Sequence, residues 1–383
     1  MKKRIVVLGS TGSIGRATLE VIEKHQDRME VYGLACKENA ELFAAQLAKW
    51  KPRYACVFDP ERAREVSFGD AEELSGLAGM KEMVRTDADI IVNALPGSIG
   101  LEPTLEALKN GKTLALANKE SLVMAGRLIA NLASEAPARL IPVDSEHSAL
   151  HQLLNCSNGA EVETLIITAS GGPFRKATKE ELRKVRPDDA MKHPTWKMGK
   201  KITLDSATLT NKGLEVIEAH WLFGLEHHRI KVMIHPESIV HGMVEMRDGS
   251  IFAYLAHPDM RIPISYALNE ESRTELSFGK VKLATLRKLT FAVPDVERFP
   301  ALKLAYEALD AGDSACIVFN GANEVAATAF MEGRIGFTDI SRLIDEALTH
   351  HTRIPIIKDE HTIWEVHRWA LHYVMERLRR SSD

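Results

Sequence analysis

The stretch from Arg4 to Gly15 restricts the fold of this chain more than any other. Arg4-Ile5-Val6-Val7-Leu8 is an apolar run that reads as a buried strand. Gly9-Ser10-Thr11-Gly12-Ser13-Ile14-Gly15 follows, and then a helix with Ala17, Val21 and Ile22 inward. Strand, glycine turn and helix in that order let backbone amides and a helix N-terminus meet a pyrophosphate. The glycines fall at G-x-x-G-x-x-G, which is looser than the strict dinucleotide fingerprint. No Gly-Lys-Ser/Thr follows them, so a P-loop is excluded.

The same alternation continues. Val31 to Ala35 is a second strand ending about twenty residues past the last glycine, where an NAD-binding domain places an acid on the ribose hydroxyls. Here the turn reads Cys36-Lys37-Glu38-Asn39, and a lysine with an amide favours the 2′-phosphate of NADP. Asp89 to Ala94 is a strand ending in Leu95-Pro96-Gly97-Ser98-Ile99-Gly100, and Thr104 to Leu108 lies on a helix. Thr113 to Ala117 is another strand, with Asn118-Lys119-Glu120-Ser121 at its carboxyl end. Ligands of open α/β sheets sit outside such ends, which makes Lys119 a ligand candidate rather than one more surface lysine.

Leu140-Ile141-Pro142-Val143 then ends a buried strand before Asp144-Ser145-Glu146-His147. If extended geometry persists, Asp144 and Glu146 point the same way and suit a hard cation such as Mg²⁺ or Mn²⁺. The plainer alternative is an acidic helix start favoured by the macrodipole.

Composition narrows the function classes. The 383 residues carry 49 basic and 53 acidic side chains, a net charge of -4, so neither nucleic acid nor a membrane surface is an expected partner. Met1-Lys2-Lys3-Arg4 runs straight into strand without a signal-peptide pattern, and no apolar run reaches spanning length. Cys36, Cys56, Cys156 and Cys316 form no C-x-x-C, so disulfides and structural zinc are not expected and a cytoplasmic location is.

Further on, Thr164 to Thr168 is a strand delivering Ser170-Gly171-Gly172-Pro173, whose amides and hydroxyl suit a phosphate. Lys201 to Leu204 reads as a strand delivering Asp205-Ser206, followed by a helix with Asn211, Lys212 and Glu215. His193-Pro194-Thr195-Trp196-Lys197-Met198-Gly199 reads as a loop able to fold over a ligand. Val232 to His235, Ile239 to Glu245 and Ile251 to Leu255 are strands, the last two joined by an Arg247-Asp248-Gly249-Ser250 turn. Their alternation leaves one face for a partner such as a second subunit. Residues 270–300 form a connector, and helical runs near Leu302–Leu309, Ala315–Phe330, Ile340–Leu348 and Ile363–Leu378 make a C-terminal bundle. The expected class is α/β: a Rossmann-like nucleotide domain over 1–144, an α+β catalytic domain with a mixed or antiparallel sheet over 145–269, the connector, and a helical domain over 301–383.

Taken together these motifs resemble the 1-deoxy-D-xylulose-5-phosphate reductoisomerase family almost end to end. The shared runs include Gly9 to Gly15, Ala117 to Ser121, Pro142 to His147, Ser170 to Phe174, His193 to Trp196, Asp205 to Thr208, Asn211 to Glu215 and Pro258 to Arg261. The resemblance implies an NADPH-dependent enzyme of the non-mevalonate isoprenoid route, acting on a phosphorylated sugar as a homodimer. It implies that Asp144, Glu146 and Glu215 hold Mg²⁺, Mn²⁺ or Co²⁺. Ser170, Ser206, Asn211 and Lys212, with His193, would bind the substrate phosphate and its surroundings, and Lys119 and Ser145 the oxygenated end. Thr11, Gly12, Ser13, Ile14, Asn39, Asn118, Glu120 and Gly199 would line the NADPH site. The chain departs from the family pattern at Cys36-Lys37-Glu38, where a glycine or small residue is usual, and in the Leu95–Leu101 loop.

Three rivals remain on the residues alone. Cys156 would serve a semialdehyde dehydrogenase as its thiol nucleophile, although it follows a helix end with no base nearby. A non-catalytic NADP-sensing module would keep the glycine turn without needing three carboxylates. His147 and His151 lie one helical turn apart as in a zinc hydrolase, but without H-E-x-x-H they read as helix-surface or supporting histidines.

Overall fold

The computed structural model describes residues 1–135, 137–192, 196, 198–276 and 279–380. The chain divides into two compact units, Met1–Ser121 with Ile129–Ser148 and Asp259–Ser277, and Leu122–Leu128 with Ala149–Pro258 and Phe278–Asp383.

In the first unit, seven strands form one sheet: β1 (Lys3–Leu8), β2 (Met29–Cys36), β3 (Tyr54–Val57), β4 (Glu72–Ser75), β5 (Ile90–Asn93), β6 (Thr113–Leu116) and β7 (Arg139–Pro142). Their order is β4-β3-β2-β1-β5-β6-β7, and every neighbouring pair is parallel. Parallel sheets are covered on both faces, which is why β1 and β5 are near-continuous apolar runs rather than alternating ones. Ile5, Val7, Leu34, Val92 and Ile141 lie in the resulting core. The chain winds outward from β1 to β4 and then returns to place β5 on the other side of β1. That reversal leaves a crevice at the carboxyl ends of β1 and β5, where open α/β sheets bind ligands.

The glycine turn fills that place because nothing larger fits. Gly9 has φ +85°, and a Cβ on it would lie 2.6 Å from the Ala94 carbonyl oxygen. A Cβ on Gly15 would lie 2.2 Å from the Gly9 oxygen. The helix Ser13–Lys24 then buries Thr18, Leu19, Val21 and Ile22 on one stripe, as its 3.6-residue period requires. Residues 259–276 also serve this unit. Ile264, Tyr266, Ala267 and Leu268 of the helix Arg261–Leu268 join its core, and Arg261 pairs with Asp259 at 2.6 Å and Glu20 at 2.9 Å. The limits drawn from sequence placed 259–269 in the catalytic stretch and 270–276 in the connector.

The second unit holds a mixed sheet of β8 (Val162–Ala169), β9 (Ile230–Ile234), β10 (Val240–Met246) and β11 (Ile251–Leu255), ordered β11-β10-β8-β9. β10 is antiparallel to both neighbours, while β8 and β9 are parallel. Helices Ala301–Ala311, Asp313–Met331, Asp339–His350 and Glu360–Arg380 follow. Asp313–Met331 is buried on almost every side, including Phe319, Asn320, Asn323 and Phe330, so the other helices pack around it.

The run Lys201–Leu204 is not a strand. It belongs to the helix Lys200–Ala207, in which Thr203, Leu204 and Ala207 are buried at helical spacing. A short run of lysine, isoleucine, threonine and leucine does not distinguish strand from helix, and the packing of Ala207 decides it.

Candidate active site

The helix Ser13–Lys24 begins at Gly12 with no side-chain cap, so its first amide donors are open to an anion. Gly12 and Ser13 are exposed, and Thr11 and Ile14 half-buried. Behind them the turn is tied down. The amides of Gly9 and Ser10 donate to the Ala35 oxygen at 2.9 and 2.8 Å. Ser10 Oγ donates to Gln46 Oε1 at 2.7 Å while Gln46 Nε2 donates to the Ser10 oxygen at 2.9 Å. At the end of β2, Lys37, Glu38 and Asn39 are exposed, and Asn39 Oδ1 caps the helix Ala40–Trp50 by accepting from Leu42 N at 3.1 Å.

Asn118 is buried, and its amide donates to the carbonyl oxygens of Leu95 and Gly97 at 2.7 and 2.8 Å and to Glu120 Oε2 at 3.2 Å. The next residue, Lys119, is also buried and its ammonium lies 2.5 Å from Asp144 Oδ2. Asp144 follows β7, and the helix Ser145–Asn155 starts directly after it. The extended geometry expected for Asp144 and Glu146 therefore ends before Glu146, which stands in the first helical turn where the macrodipole favours an acid. Ser145 Oγ donates to Glu146 Oε2. His147 is wholly buried with Nδ1 3.9 Å from Asp144 Oδ2, so it is not a surface histidine but one that stands behind the carboxylate. His151 is half-buried, and Cys156 is exposed just past the helix end.

In the second unit, Gly171 and Gly172 have φ +82° and +65°. A Cβ on Gly172 would lie 2.8 Å from the Ser206 oxygen and 3.1 Å from Ala207 Cα. Glycine thus lets the loop after β8 close on the helix that carries Ser206. Ser170 Oγ, in the same loop, accepts from Gly172 N at 3.2 Å. Helix Thr210–Phe223 supplies the remaining polar groups. Asn211 Nδ2 donates to Glu215 Oε1 at 2.5 Å, and the Lys212 ammonium donates to Glu215 Oε2 at 2.5 Å and to the Thr168 oxygen at 2.6 Å. Glu215 and Glu218 are both buried. Gly199 stands exposed at the N-cap of Lys200–Ala207.

His193, with residues 194, 195 and 197, lies outside the described residues; Trp196 is half-buried with its ring 6.2 Å from that of His241. Asp144, Glu146 and Glu215 offer only oxygen donors, each already oriented by an ammonium, hydroxyl or amide, and such donors fit a hard divalent cation.

Several supporting contacts escaped the sequence reading. Asp205 is buried between the Lys201 ammonium at 2.6 Å and Asn323 Nδ2 at 3.0 Å, which anchors the Ser206-bearing helix on Asp313–Met331. The i,i+4 spacing of Lys201 and Asp205 was a readable signal for that pair. Nothing local pointed to Asn323, 118 residues away, nor to Gln46.

Three family models match the chain. One described as 1-deoxy-D-xylulose 5-phosphate reductoisomerase covers residues 5–126, one for the C-terminal domain of that enzyme covers 140–223, and one described as DXP reductoisomerase C-terminal domain covers 255–373. A 1-deoxy-D-xylulose 5-phosphate reductoisomerase of Chlorobium chlorochromatii is 47% identical over 373 residues, 96% of this chain and 97% of the relative. That of Chlorobaculum tepidum is 48% identical over 375 residues, again 96% and 97%. A solved DOX-P reductoisomerase in complex with NADPH, fosmidomycin and magnesium superposes with a TM-score of 0.95 at 35% identity, covering 100% of this chain and 99% of the other. The Zymomonas mobilis enzyme in complex with NADPH does so with a TM-score of 0.92 at 38% identity, covering 99% of each. With matches of this identity across nearly the whole length, the chain belongs to the 1-deoxy-D-xylulose 5-phosphate reductoisomerase family.

Proposed function

We propose that this protein is an NADPH- and divalent-cation-dependent oxidoreductase that rearranges and reduces 1-deoxy-D-xylulose 5-phosphate to 2-C-methyl-D-erythritol 4-phosphate in non-mevalonate isoprenoid synthesis. The observation that carries this reading is the 47% and 48% identity, over 96% of the chain, to relatives of that name, and solved relatives hold NADPH and magnesium. When bound, the cation supplies Lewis-acid polarisation for the carbon-skeleton rearrangement and the nicotinamide supplies the hydride for the reduction. Asp144, Glu146 and Glu215 hold the cation in this reading. Lys119, paired with Asp144, and Ser145 orient the oxygenated end of the substrate. Ser170, Ser206, Asn211 and Lys212, with His193, grip its phosphate, a remote anchor whose binding energy serves the chemical step. Thr11 to Ile14 receive the pyrophosphate, Asn39 the adenosine ribose, and Asn118, Glu120 and Gly199 the rest of the NADPH site. Lys37 and Asn39, exposed after β2 on either side of Glu38, support NADPH over NADH.

β11 is an edge strand with Ile251 53%, Phe252 49% and Leu255 38% exposed, an apolar edge of the kind that a second copy covers in a homodimer. No described helix is long and apolar enough to cross a membrane. Four free cysteines support a reducing, cytoplasmic setting.

The test is oxidation of NADPH with 1-deoxy-D-xylulose 5-phosphate, with and without added Mg²⁺ or Mn²⁺. Turnover that needs both substrate and cation, with a preference over NADH of at least about 10-fold in kcat/KM, is expected. Consumption of NADPH without the sugar phosphate, or none at all, would overturn the reading.

A further inference from the structure

The loop Leu95–Gly100 stands at the carboxyl end of β5, where the strand order reverses. Four polar side chains beneath it are all buried: Asn93, Thr104, Asn118 and Ser121. Their hydrogen bonds run in one direction. Asn93 Nδ2 donates to Thr104 Oγ1 at 2.8 Å, and Thr104 Oγ1 donates to Ser121 Oγ at 3.2 Å. Ser121 Oγ donates to Asn118 Oδ1, and Asn118 Nδ2 donates to the oxygens of Leu95 and Gly97 at 2.7 and 2.8 Å. Asn93 closes the circuit, donating to the Gly100 oxygen at 2.8 Å and accepting from Leu95 N at 3.3 Å. Both ends of the loop are thus held by one continuous chain of donors and acceptors. The fit is close, since a Cβ on Gly100 would lie 2.5 Å from Asn118 Cγ.

Burying four polar side chains carries a desolvation cost that apolar residues of the same shape would avoid. What the polar version adds is a fixed shape for backbone that has no sheet or helix ladder of its own. The position of that backbone suggests its use. The glycine turn after β1 suits the pyrophosphate, and the end of β2 suits the adenosine ribose. β2 and β5 flank β1 on opposite sides, so a dinucleotide crossing the crevice lays its other half over the end of β5.

We propose that Asn93, Thr104, Ser121 and Asn118 are positioning residues that hold the Leu95–Gly100 loop in shape for the nicotinamide half of the cofactor. The inference rests on the NADPH reading above and adds residues to it. Asn118 in this account acts with its side chain turned into the protein, through the loop that it supports. A loop already ordered costs less to order on binding, so the effect is on affinity.

The test severs the chain at its middle link. Thr104→Val keeps the shape of the side chain and removes the hydroxyl, and Thr104→Ser keeps the hydroxyl. Binding is followed by fluorescence titration without substrate, using NADPH and, separately, adenosine 2′,5′-bisphosphate, which carries only the adenosine half. Thr104→Val is expected to bind NADPH about 10-fold more weakly, with affinity for the bisphosphate unchanged and Thr104→Ser close to the parent. If Thr104→Val does not fold, as read by circular dichroism, Ser121→Ala is titrated in its place with a loss of about 3-fold expected. Unaltered NADPH affinity in the folded variant overturns the proposal, and so does an equal loss for both ligands, which would mean a general structural defect. A parent that binds no NADPH would overturn the functional reading itself, an outcome distinct from an unresponsive variant.

Discussion

Replacing Lys212 by methionine should cost more stability than most single substitutions, because it strips a cationic partner from a carboxylate with almost no access to water. The side chains of Lys212 and Glu215 are 5% and 1% exposed, and the ammonium-to-oxygen distance is 2.5 Å. The same ammonium donates to the Thr168 oxygen at 2.6 Å, tying the helix Thr210–Phe223 to β8. Leaving a buried charge short of its counter-ion costs about 3–5 kcal/mol, and a lost bond to a buried carbonyl about 1 kcal/mol within that. Glu215→Gln alone should cost about 2–3 kcal/mol, since the ammonium then faces a neutral amide while keeping Thr168. The double variant buries neither charge and should be less damaged than the sum of the two by about 2 kcal/mol or more. Urea unfolding without divalent cation measures this, with midpoints compared at constant slope. Additivity within about 0.5 kcal/mol would refute the argument that the two charges are held as a pair.

Three further outcomes are expected. Gly172→Ala forces a Cβ to 2.8 Å from the Ser206 oxygen at φ +65°, so KM for the sugar phosphate should rise about 10-fold or more while NADPH binding holds; an unchanged KM would separate Ser206 from the phosphate grip. Burial pushes the His367 imidazole down from 6.5 to about 4, although Glu324 lies 3.5 Å away and opposes this. The unfolded chain then binds the extra proton, so stability present above pH 6.5 should fall by up to about 3 kcal/mol as pH drops toward 4, and His367→Leu should flatten that slope in thermal melts. Cys156→Ala should leave turnover near the parent value, because the thiol is exposed past a helix end and the proposed reaction forms no thioester; loss of turnover in a folded variant would favour the semialdehyde dehydrogenase alternative.

Features that depend on near neighbours in the chain were legible before folding. The Arg4–Leu8 run, the glycines after it and the stripe on Ser13–Lys24 declare strand, turn and helix through local period and sterics, and the repeated alternation implies a parallel sheet. The long C-terminal helices were legible for the same reason, and so was the β10–β11 hairpin, through its Asp-Gly turn. The acids Asp144 and Glu146 were legible as candidates, but not their geometry, since a helix beginning at Ser145 rather than a continuing strand sets where Glu146 points. Tertiary structure alone decided the rest. Lys201–Leu204 became helix because Ala207 and Leu204 are buried together, a choice that a four-residue pattern cannot make. Residues 259–276 joined the first unit's core through Ile264 and Leu268, against their place in the chain. Asn93, Thr104 and Ser121 read as unremarkable polar residues in sequence. Only folding of the sheet brings β5, the helix Leu101–Lys109 and the end of β6 side by side, and only there do their hydrogen bonds have each other as partners in place of water.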